Sequence, residues 1–193
     1  MPTSRLSTAL EQLLARGKPG ERVFARERAL GGSQTREYCV MSPGAAWRET
    51  CTKTQPHLYE VLSHPCNMYL DVEWKCDSPP PGEKARLREI INVTLERLEE
   101  VYNVTDVAVH TANASGWVGD KYKCSWHVHM VCKEVCWSNA ACVGDFVRKH
   151  LSDVSEVDKV PYHAPKQNWR CIGSSKASDP KRAFTPIDKT TFM

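Results

Sequence analysis

The sequence lacks any apolar run of the roughly 18 residues that a membrane-spanning helix requires, so we expect no membrane association. Its first residues also lack the apolar segment of a secretory signal, because Arg5, Glu11 and Arg16 interrupt them. The nine cysteines are odd in number and lack the tightly spaced pairs of a structural zinc site. These absences exclude the secreted, disulfide-rich class and predict an intracellular, reducing compartment.

A strong excess of one charge is also missing, since the 193 residues carry a formal net charge of only +3. Such a balance permits a nucleic-acid partner without indicating one, because the clustering of charge matters more than its sum. Charged residues at 25% and hydrophobic residues at 41% are ordinary for a globular protein. The length therefore predicts one domain, or two subdomains, with a substantial core.

The segment Met68–Trp74 carries two acids inside an apolar strand pattern. Because successive side chains of a strand point to opposite faces, Asp71 and Glu73 are expected on the same face, where they could share a cation. Two adjacent carboxylates on a buried strand are costly unless a metal or hydrogen-bond donors neutralise them. The alternative is a strand end whose acids reach water or pair with Lys75.

The segment Lys123–Cys132 alternates between an apolar face and a polar face. Lys123, Ser125 and His127 follow one another at i, i+2 and i+4, and their ammonium, hydroxyl and imidazole groups suit phosphate oxygens. A polar face turned to solvent would show the same alternation. A metal-binding pair of His127 and His129 is a further alternative, although no nearby carboxylate or thiol of the strand shares their face.

A third acid and a basic turn follow later in the chain. Residues 155–160 alternate like a strand, with Asp158 next to Val157. The run Asn168–Lys176 passes from a strand pattern into a turn of small residues that ends in a lysine. Such a turn would offer backbone N–H groups and an ammonium together, which suits an anion.

Hydrophobic periodicity predicts the other elements of the chain. Helices are expected at residues 4–16, 87–102 and 139–151, and strands at 36–41, 58–62 and 107–109. The helix at 87–102 is amphipathic and is expected to cover the sheet. A loop is predicted through Gly116 and Gly119, and no regular element is expected after residue 177.

Together these segments supply three acids on strands, a row of phosphate donors and a basic turn. Two-metal nucleotidyl transfer needs this set, because carboxylates hold the cations that activate a 3′-hydroxyl and stabilise the leaving pyrophosphate. The donor row and the turn would hold a triphosphate in line by positioning and charge stabilisation. The sequence therefore predicts a phosphoryl- or nucleotidyl-transfer site.

The same motifs resemble those of the eukaryotic primase-polymerase (PrimPol) family of the archaeo-eukaryotic primase superfamily. That family is marked by an acid-x-acid strand, a Ser-x-His strand, and a third acid ahead of Asn-aromatic-Arg and Ser-Ser-Lys runs. In this chain the motifs are Leu70–Glu73, Lys123–His127, Val157–Asp158, Asn168–Arg170 and Ser174–Lys176. The likeness also includes Val23–Arg28, Arg36 before Tyr38, Tyr59–Val61 and Phe146–Lys149. It covers most of residues 20–182 in the expected order.

The resemblance implies an α+β fold, the archaeo-eukaryotic primase catalytic core, in which two α/β modules form a cleft and the catalytic module is RRM-like. The helical spacing of leucines predicts an N-terminal helix in residues 1–19, and the resemblance implies a catalytic domain over 20–182. The interleaved modules, 20–76 and 83–182, would be joined by a proline-rich loop, with a tail at 183–193. Family members that prime usually carry a later zinc-binding module, and no Cys or His follows Cys171. We therefore expect primer extension more than primer initiation.

The implied activity is that of a DNA-directed primase/polymerase that starts strands de novo and resumes synthesis past damage, in the nucleus or the mitochondrion. By carry-over, Asp71, Glu73 and Asp158 are the catalytic ligands of Mg²⁺ or Mn²⁺. The residues implied for the incoming dNTP or NTP are Lys123, Ser125, His127, Arg170 and Lys176, and the residue implied for the template is Arg36. Single-stranded or primed DNA and a single-strand-binding protein are the implied partners.

Two other functions would use part of this pattern. A nuclease of the PD-(D/E)xK type would use Glu73 and Lys75, but it needs an aspartate on a preceding strand. Asp71 is the first Asp of the chain, so Glu60 would have to serve. An RRM-like binding module would stack bases on exposed strand aromatics, where this chain has acids and phosphate donors. Extension, degradation or retention of the nucleic acid separates the three functions.

Overall fold

The computed structural model describes residues 2–30, 33–54, 56–63 and 65–187, so the last six residues of the predicted tail lie outside it. In these ranges the chain is a mixed α+β protein with two antiparallel sheets, as the predicted class requires. The helices are α1 (Leu6–Arg16), α2 (Pro43–Thr52), α3 (Glu83–Tyr102) and α4 (Ala140–His150). The strands are β1 (Arg22–Leu30), β2 (Ser33–Met41), β3 (Leu58–Leu62), β4 (Met68–Cys76), β5 (Val107–Asn113), β6 (Gly116–Val118), β7 (Lys121–Cys132), β8 (Gln167–Arg170) and β9 (Thr185–Ile187).

Two compact units divide the chain. Unit 1 comprises Met1–Leu62 and Asn168–Thr185, and unit 2 comprises Ser63–Gln167 and Pro186–Met193. The sheet of unit 1 has the strand order β2-β1-β3-β8. The sheet of unit 2 has the order β4-β7-β5-β9, with β6 paired to β7. The division into modules at 20–76 and 83–182 stays a prediction.

Unit 1 buries apolar side chains on both faces of its sheet, because neighbouring residues of β1 face opposite sides. Val23 and Ala25 belong to a cluster that includes Ala9 of α1, and three leucines of α1 pack against this cluster. Phe24, which lies between them on the strand, packs instead with Ala46 of α2. The two helices of unit 1 therefore contribute to two separate apolar clusters.

Helix α2 was not predicted from the sequence. Only the strand at 36–41 was predicted in this region, but the Ser42 hydroxyl oxygen accepts the Ala45 N–H at 3.2 Å and caps a helix. Proline at the first helical position needs no hydrogen-bond partner for its nitrogen, so Ser-Pro is also a start signal. The short helix has few apolar residues, which is why its periodicity is weak.

In unit 2, β7 lies between β4 and β5 and pairs with both in antiparallel register. This register places Asp71 opposite His127 and Glu73 opposite Ser125. The opposite face of the unit 2 sheet is apolar and carries Trp126. The Trp126 indole N–H donates at 2.7 Å to the carboxylate of Glu83, the first residue of α3. The predicted amphipathic helix therefore contacts the apolar face of this sheet.

Three further expectations differ from the structure. Residues 155–160 do not form a strand: Val157 makes a single bridge to Val72, and a 3₁₀ turn (Val160–Tyr162) follows. The predicted loop through Gly116 contains β6, which forms a tight hairpin with β7 around Gly119 at φ 63°. After residue 177, where no element was expected, β9 joins the sheet of unit 2. Each of these segments is too short to show the hydrophobic periodicity from which a helix or a strand is predicted.

None of the described helices is long and apolar enough to cross a membrane. All nine cysteines lie in the described ranges, and all of them are free thiols. Burial raises the pKa of several of these thiols, including Cys39 and Cys132, so that they stay neutral at physiological pH.

Candidate metal centre

Three carboxylates meet at one edge of the unit 2 sheet. Asp71, Glu73 and Asp158 each offer an oxygen, and these oxygens all lie within 4.8 Å of one another. All three residues are half-buried, so their charges are only partly screened by water. In the described part of the chain this is the one cluster of three or more His, Cys, Asp or Glu residues with such spacing. The hard oxygen donors fit Mg²⁺ or Mn²⁺ better than a softer metal.

Backbone hydrogen bonds bring Asp158 to the two acids of β4. The Asp158 N–H donates to the Asp71 carbonyl at 2.8 Å, and the Glu73 N–H donates to the Glu156 carbonyl at 2.7 Å. The Asp158 carboxylate also accepts the Val160 N–H at 2.9 Å, which orients it. Although residues 155–160 are not a strand, they add enough backbone pairing to fix the third acid beside β4.

The side chain of Glu156 secures the same segment. It accepts a 2.6 Å hydrogen bond from Arg86 of α3. This bond is the main reason why the pKa of Glu156 lies below its usual range. The segment that carries Asp158 is thus tied to both β4 and α3.

Tyr162 holds the middle of β4 from the side of the 3₁₀ turn. Its hydroxyl accepts the Asp71 N–H at 3.1 Å and donates to the Tyr69 carbonyl at 3.2 Å. Its ring stacks on Tyr69 with centroids 5.2 Å apart. Burial raises the pKa of Tyr162 well above its usual value, so the phenol stays a neutral donor. Sequence reasoning missed this residue, since nothing in its local pattern separates it from other buried tyrosines.

The donor row of β7 lies on the same face as the acids. Ser125 and His127 are each only 5% exposed, so the alternative of a polar face turned to solvent is wrong for them. The Lys123 ammonium forms an ion pair with the Glu73 carboxylate, and its side chain is 15% exposed. The structure therefore brings Lys123, Ser125 and His127 beside the acids of β4.

Two more imidazoles continue this face. His129 of β7 lies directly opposite His110 of β5 and, on its other side, opposite Tyr69 of β4. Burial, with a smaller contribution from His110, lowers the pKa of His129 to about 4. No acid or thiol joins His127 and His129 in a cluster of three ligands among the described residues, so the alternative histidine metal site lacks a third ligand.

A hydrogen-bond network centred on Glu83 orients the start of the donor row. The Ser125 N–H donates to the Ser115 hydroxyl at 3.0 Å, and that hydroxyl donates to Glu83 at 2.5 Å. Glu83 also accepts the Trp126 indole N–H and an amide N–H of Asn113. The sequence offered no direct signal for this network, because its members come from α3, β5, β7 and the loop that follows β5.

The remaining candidate residues, Arg36, Arg170 and Lys176, belong to unit 1. The guanidinium of Arg36 lies 3.5 Å from Glu27 and 5.5 Å from the centre of the Tyr59 ring. The guanidinium of Arg170 lies 4.5 Å from the centre of the Phe184 ring. Lys176 is exposed, at the end of the Ser-Ser-Lys turn.

The backbone N–H groups of this turn do not form the predicted anion site. Those of Gly173, Ser174 and Ser175 donate to the carbonyl oxygens of Phe184, Cys171 and Pro56 at 2.7, 3.0 and 3.0 Å. The N–H of Ala177 donates to the buried carboxylate of Glu27 at 3.0 Å. The prediction was therefore wrong for the N–H groups of Gly173, Ser174 and Ser175, because they hold the turn in place within unit 1.

Comparison with known proteins does not assign this chain to a family. No family model matches the chain, and no curated protein is significantly similar to it. The likeness to primase-polymerases therefore stays a prediction from the sequence motifs.

Proposed function

We propose that the chain is a metal-dependent nucleotidyltransferase of the primase-polymerase type. It would transfer nucleotides from dNTPs or NTPs to a 3′-hydroxyl on a DNA template. The observation that carries this proposal is the meeting of Asp71, Glu73 and Asp158 beside the donor row of β7. An acid cluster alone is common on protein surfaces, but acids that adjoin a buried Ser and His and a paired Lys suit a charged phosphate substrate.

The residues of unit 2 divide the proposed task between them. Asp71, Glu73 and Asp158 would hold Mg²⁺ or Mn²⁺, and the cations, when bound, would activate the attacking hydroxyl and neutralise charge on the triphosphate. Lys123, Ser125 and His127 would donate to the triphosphate oxygens and hold the α-phosphate in line. Tyr162 and the Asp158 backbone would keep the carboxylates in position.

The rest of the proposal follows the family resemblance. Arg170 and Lys176 of unit 1 would contact the incoming nucleotide, and Arg36 the template. The substrates would be single-stranded or primed DNA, with a single-strand-binding protein as partner, in damage-tolerant replication within the nucleus or mitochondrion. The finer fold assignment, a primase catalytic core with an RRM-like module, is part of the same proposal.

A primer-extension assay with dNTPs and Mn²⁺ or Mg²⁺ on a primed single-stranded template tests the function. The Asp71→Asn, Glu73→Gln double variant keeps the side-chain shapes and removes two charges. Asp153→Asn is the matched control, since Asp153 is an exposed acid of unit 2 that pairs with Arg97. We expect extension by the unmodified chain and by the control, and a loss of at least about 100-fold in the double variant, because bound metal supplies several kcal/mol.

The alternatives give different products in the same assay. Shortened primer would indicate a nuclease, although Glu60, the acid that a PD-(D/E)xK site would need, pairs with Arg22 and is not among the clustered acids. Unchanged primer with retained DNA would indicate a binding module. Either result, or full activity in the double variant, would refute the proposed polymerase.

A further inference from the structure

Glu27 of β1 is the one carboxylate that is buried in the described part of the chain, with 5% of its surface exposed. Burying a carboxylate costs several kcal/mol unless donors or cations compensate for its lost hydration. Glu27 is not one of the clustered acids of the candidate metal centre. Its partners therefore indicate what this buried charge does.

Three groups from three separate elements converge on the Glu27 carboxylate. Oε2 accepts the Tyr59 hydroxyl of β3 at 3.0 Å and the Ala177 N–H of the turn after β8 at 3.0 Å. Oε1 lies 3.5 Å from Nη2 of Arg36, the residue directly opposite on β2. One side chain thus joins β2, β3 and the Ser-Ser-Lys turn.

The contact with Ala177 fixes the peptide group between Lys176 and Ala177, whose carbonyl oxygen also accepts the Asp179 N–H at 3.0 Å. The turn is closed on its other side, because the Ser174 hydroxyl accepts the Leu58 N–H at 3.3 Å and Ser175 lies 3.2 Å from the His57 ring. Ser174 and Ser175 are 0% and 1% exposed, whereas Lys176 is exposed. Glu27 holds the end of the turn from which the lysine extends.

The contact with Arg36 orients a guanidinium that lines a cavity of about 310 Å³. The cavity is also lined by Pro2, Thr3, Ser4, Arg28, Thr35 and Glu37. The Arg28 guanidinium pairs with the Glu37 carboxylate at 2.5 Å. The Arg36 guanidinium has a longer ion pair, 3.5 Å from the Glu27 carboxylate, and lies over the Tyr59 ring. Glu27 also accepts hydrogen bonds from two other donors, so its negative charge is shared between them and Arg36.

We propose that Glu27 is a positioning residue that sets Arg36 and Lys176 together, so that one buried carboxylate holds both the template contact and a nucleotide contact of unit 1. This inference depends on the proposed function, which assigns Arg36 to the template and Lys176 to the triphosphate. It gives a role to Glu27, which lies in the range Val23–Arg28 of the family likeness but to which the resemblance assigns no role. The same carboxylate would couple the geometry of the two contacts, because displacing it releases both.

A double-mutant cycle tests the Arg36 arm. The dissociation constant of a fluorescent single-stranded oligonucleotide is measured for the unmodified chain, Glu27→Gln, Arg36→Gln and the double variant. Glu27→Gln should change it by at least about threefold, in either direction, because the pair both orients and screens Arg36. The double variant should then bind like Arg36→Gln alone. No change in Glu27→Gln, or fold-changes that simply multiply, would overturn the proposal.

A second comparison tests the turn. Gln keeps an oxygen for Ala177 and Tyr59, whereas Leu keeps only the size of the side chain. Glu27→Leu should weaken binding of a fluorescent dNTP by at least about fivefold, which is about 1 kcal/mol, and Glu27→Gln should stay within about twofold of the unmodified chain. Equal dNTP binding in the two variants would overturn this arm. If Glu27→Leu does not fold, the Arg36 cycle still decides the proposal.

Glu49→Gln is the matched control in unit 1. It weakens the Arg26–Glu49 pair, whose two hydrogen bonds are each 2.7 Å, and the Lys53–Glu49 pair, and neither pair includes Arg36 or the turn. We expect Glu49→Gln to lower the unfolding temperature but to leave the dissociation constants of the oligonucleotide and the dNTP unchanged. If lost stability alone weakened binding, these constants would change in Glu49→Gln as well as in the Glu27 variants. Primer extension is measured separately. If Glu27 and Arg36 are coupled in the mutant cycle but no primer is extended, only the proposed polymerase function is refuted. If the primer is extended but the two residues are not coupled, only the proposed role of Glu27 is refuted.

Discussion

The backbone N–H of Asp158 donates to the carbonyl oxygen of Asp71 at 2.8 Å, and this bond joins two acids that lie far apart in the sequence. The neighbouring bond from Glu73 to the Glu156 carbonyl extends the pairing along β4. Because these contacts involve backbone atoms, they are independent of the carboxylates themselves. Asp71 and Glu73 can therefore be replaced without loss of the backbone framework that holds the third acid beside them.

Divalent cations are expected to stabilise unit 2. Three carboxylates within 4.8 Å repel one another, and a bound cation relieves this repulsion. At a Mn²⁺ concentration of 100 times the dissociation constant, the free energy of unfolding should rise by about 2.7 kcal/mol. Thermal unfolding with and without Mn²⁺ measures the gain, and the Asp71→Asn, Glu73→Gln variant should lose it. An equal shift in that variant would contradict the metal assignment.

Lys123→Met should have opposite effects on two ligands. The Lys123 ammonium pairs with the Glu73 carboxylate. Removing the ammonium should tighten Mn²⁺ binding, because Mn²⁺ then no longer competes with Lys123 for this carboxylate. The same change should weaken dNTP binding by at least about fivefold, since a charge-assisted hydrogen bond is lost. Isothermal titration calorimetry measures both. Lys121→Met, which breaks a pair with the exposed Asp77, is the control and should change neither.

Stability should fall between pH 6.5 and pH 4 because of His129. Its pKa is lowered from 6.5 to about 4 in the folded protein, so the unfolded chain binds a proton in this range that the folded chain does not. The free energy of unfolding should thus decrease as the pH falls, by up to about 1.4 kcal/mol per pH unit.

The groups that face His129 are His110 and Tyr69, and burial keeps the Tyr69 phenol neutral by raising its pKa. Urea unfolding at pH 7 and pH 5 should therefore show a smaller pH dependence in His129→Gln than in the unmodified chain. His163→Gln, at an exposed position, is the control. Identical pH dependence in all three proteins would contradict the buried, neutral state of His129.

Gly144→Ala should destabilise unit 2 and disturb the metal centre. A Cβ atom at Gly144 would lie 2.4 Å from Cβ and 2.8 Å from the carbonyl oxygen of Tyr162, so the 3₁₀ turn must move. Overpacking of this kind costs about 1–3 kcal/mol. Because Tyr162 bonds to the Asp71 N–H, Mn²⁺ binding should also weaken.

Urea unfolding and Mn²⁺ titration measure the two effects of Gly144→Ala. Gly44→Ala is the matched control: a Cβ there meets only the end of the Arg48 side chain, at 3.9 Å, and alanine favours the helix. Unchanged Mn²⁺ affinity in a destabilised Gly144→Ala variant would show that the position of Tyr162 does not control the acids.

Much of the secondary structure could be predicted because most elements are long enough to show a period. Strands β4 and β7 and helices α3 and α4 were placed within a few residues. Helix α2 and strands β6 and β9 could not be found in this way. They are short, and capping or pairing with other segments stabilises them more than their own pattern does.

The candidate site divides in the same way. The spacing of Asp71 and Glu73, and that of Lys123, Ser125 and His127, by itself determined which side chains share a face, because strand geometry is local. The family resemblance implied that Asp158 joins the two acids, but only the tertiary structure decided how it reaches them. The tertiary structure also decided that Tyr162 supports the acids, that Glu83 orients the donor row, and that Glu27 occupies the N–H of Ala177. These contacts depend on strand register and on packing between distant segments. The interactions that stabilise them form only when those segments meet, so no local pattern of residues predicts them.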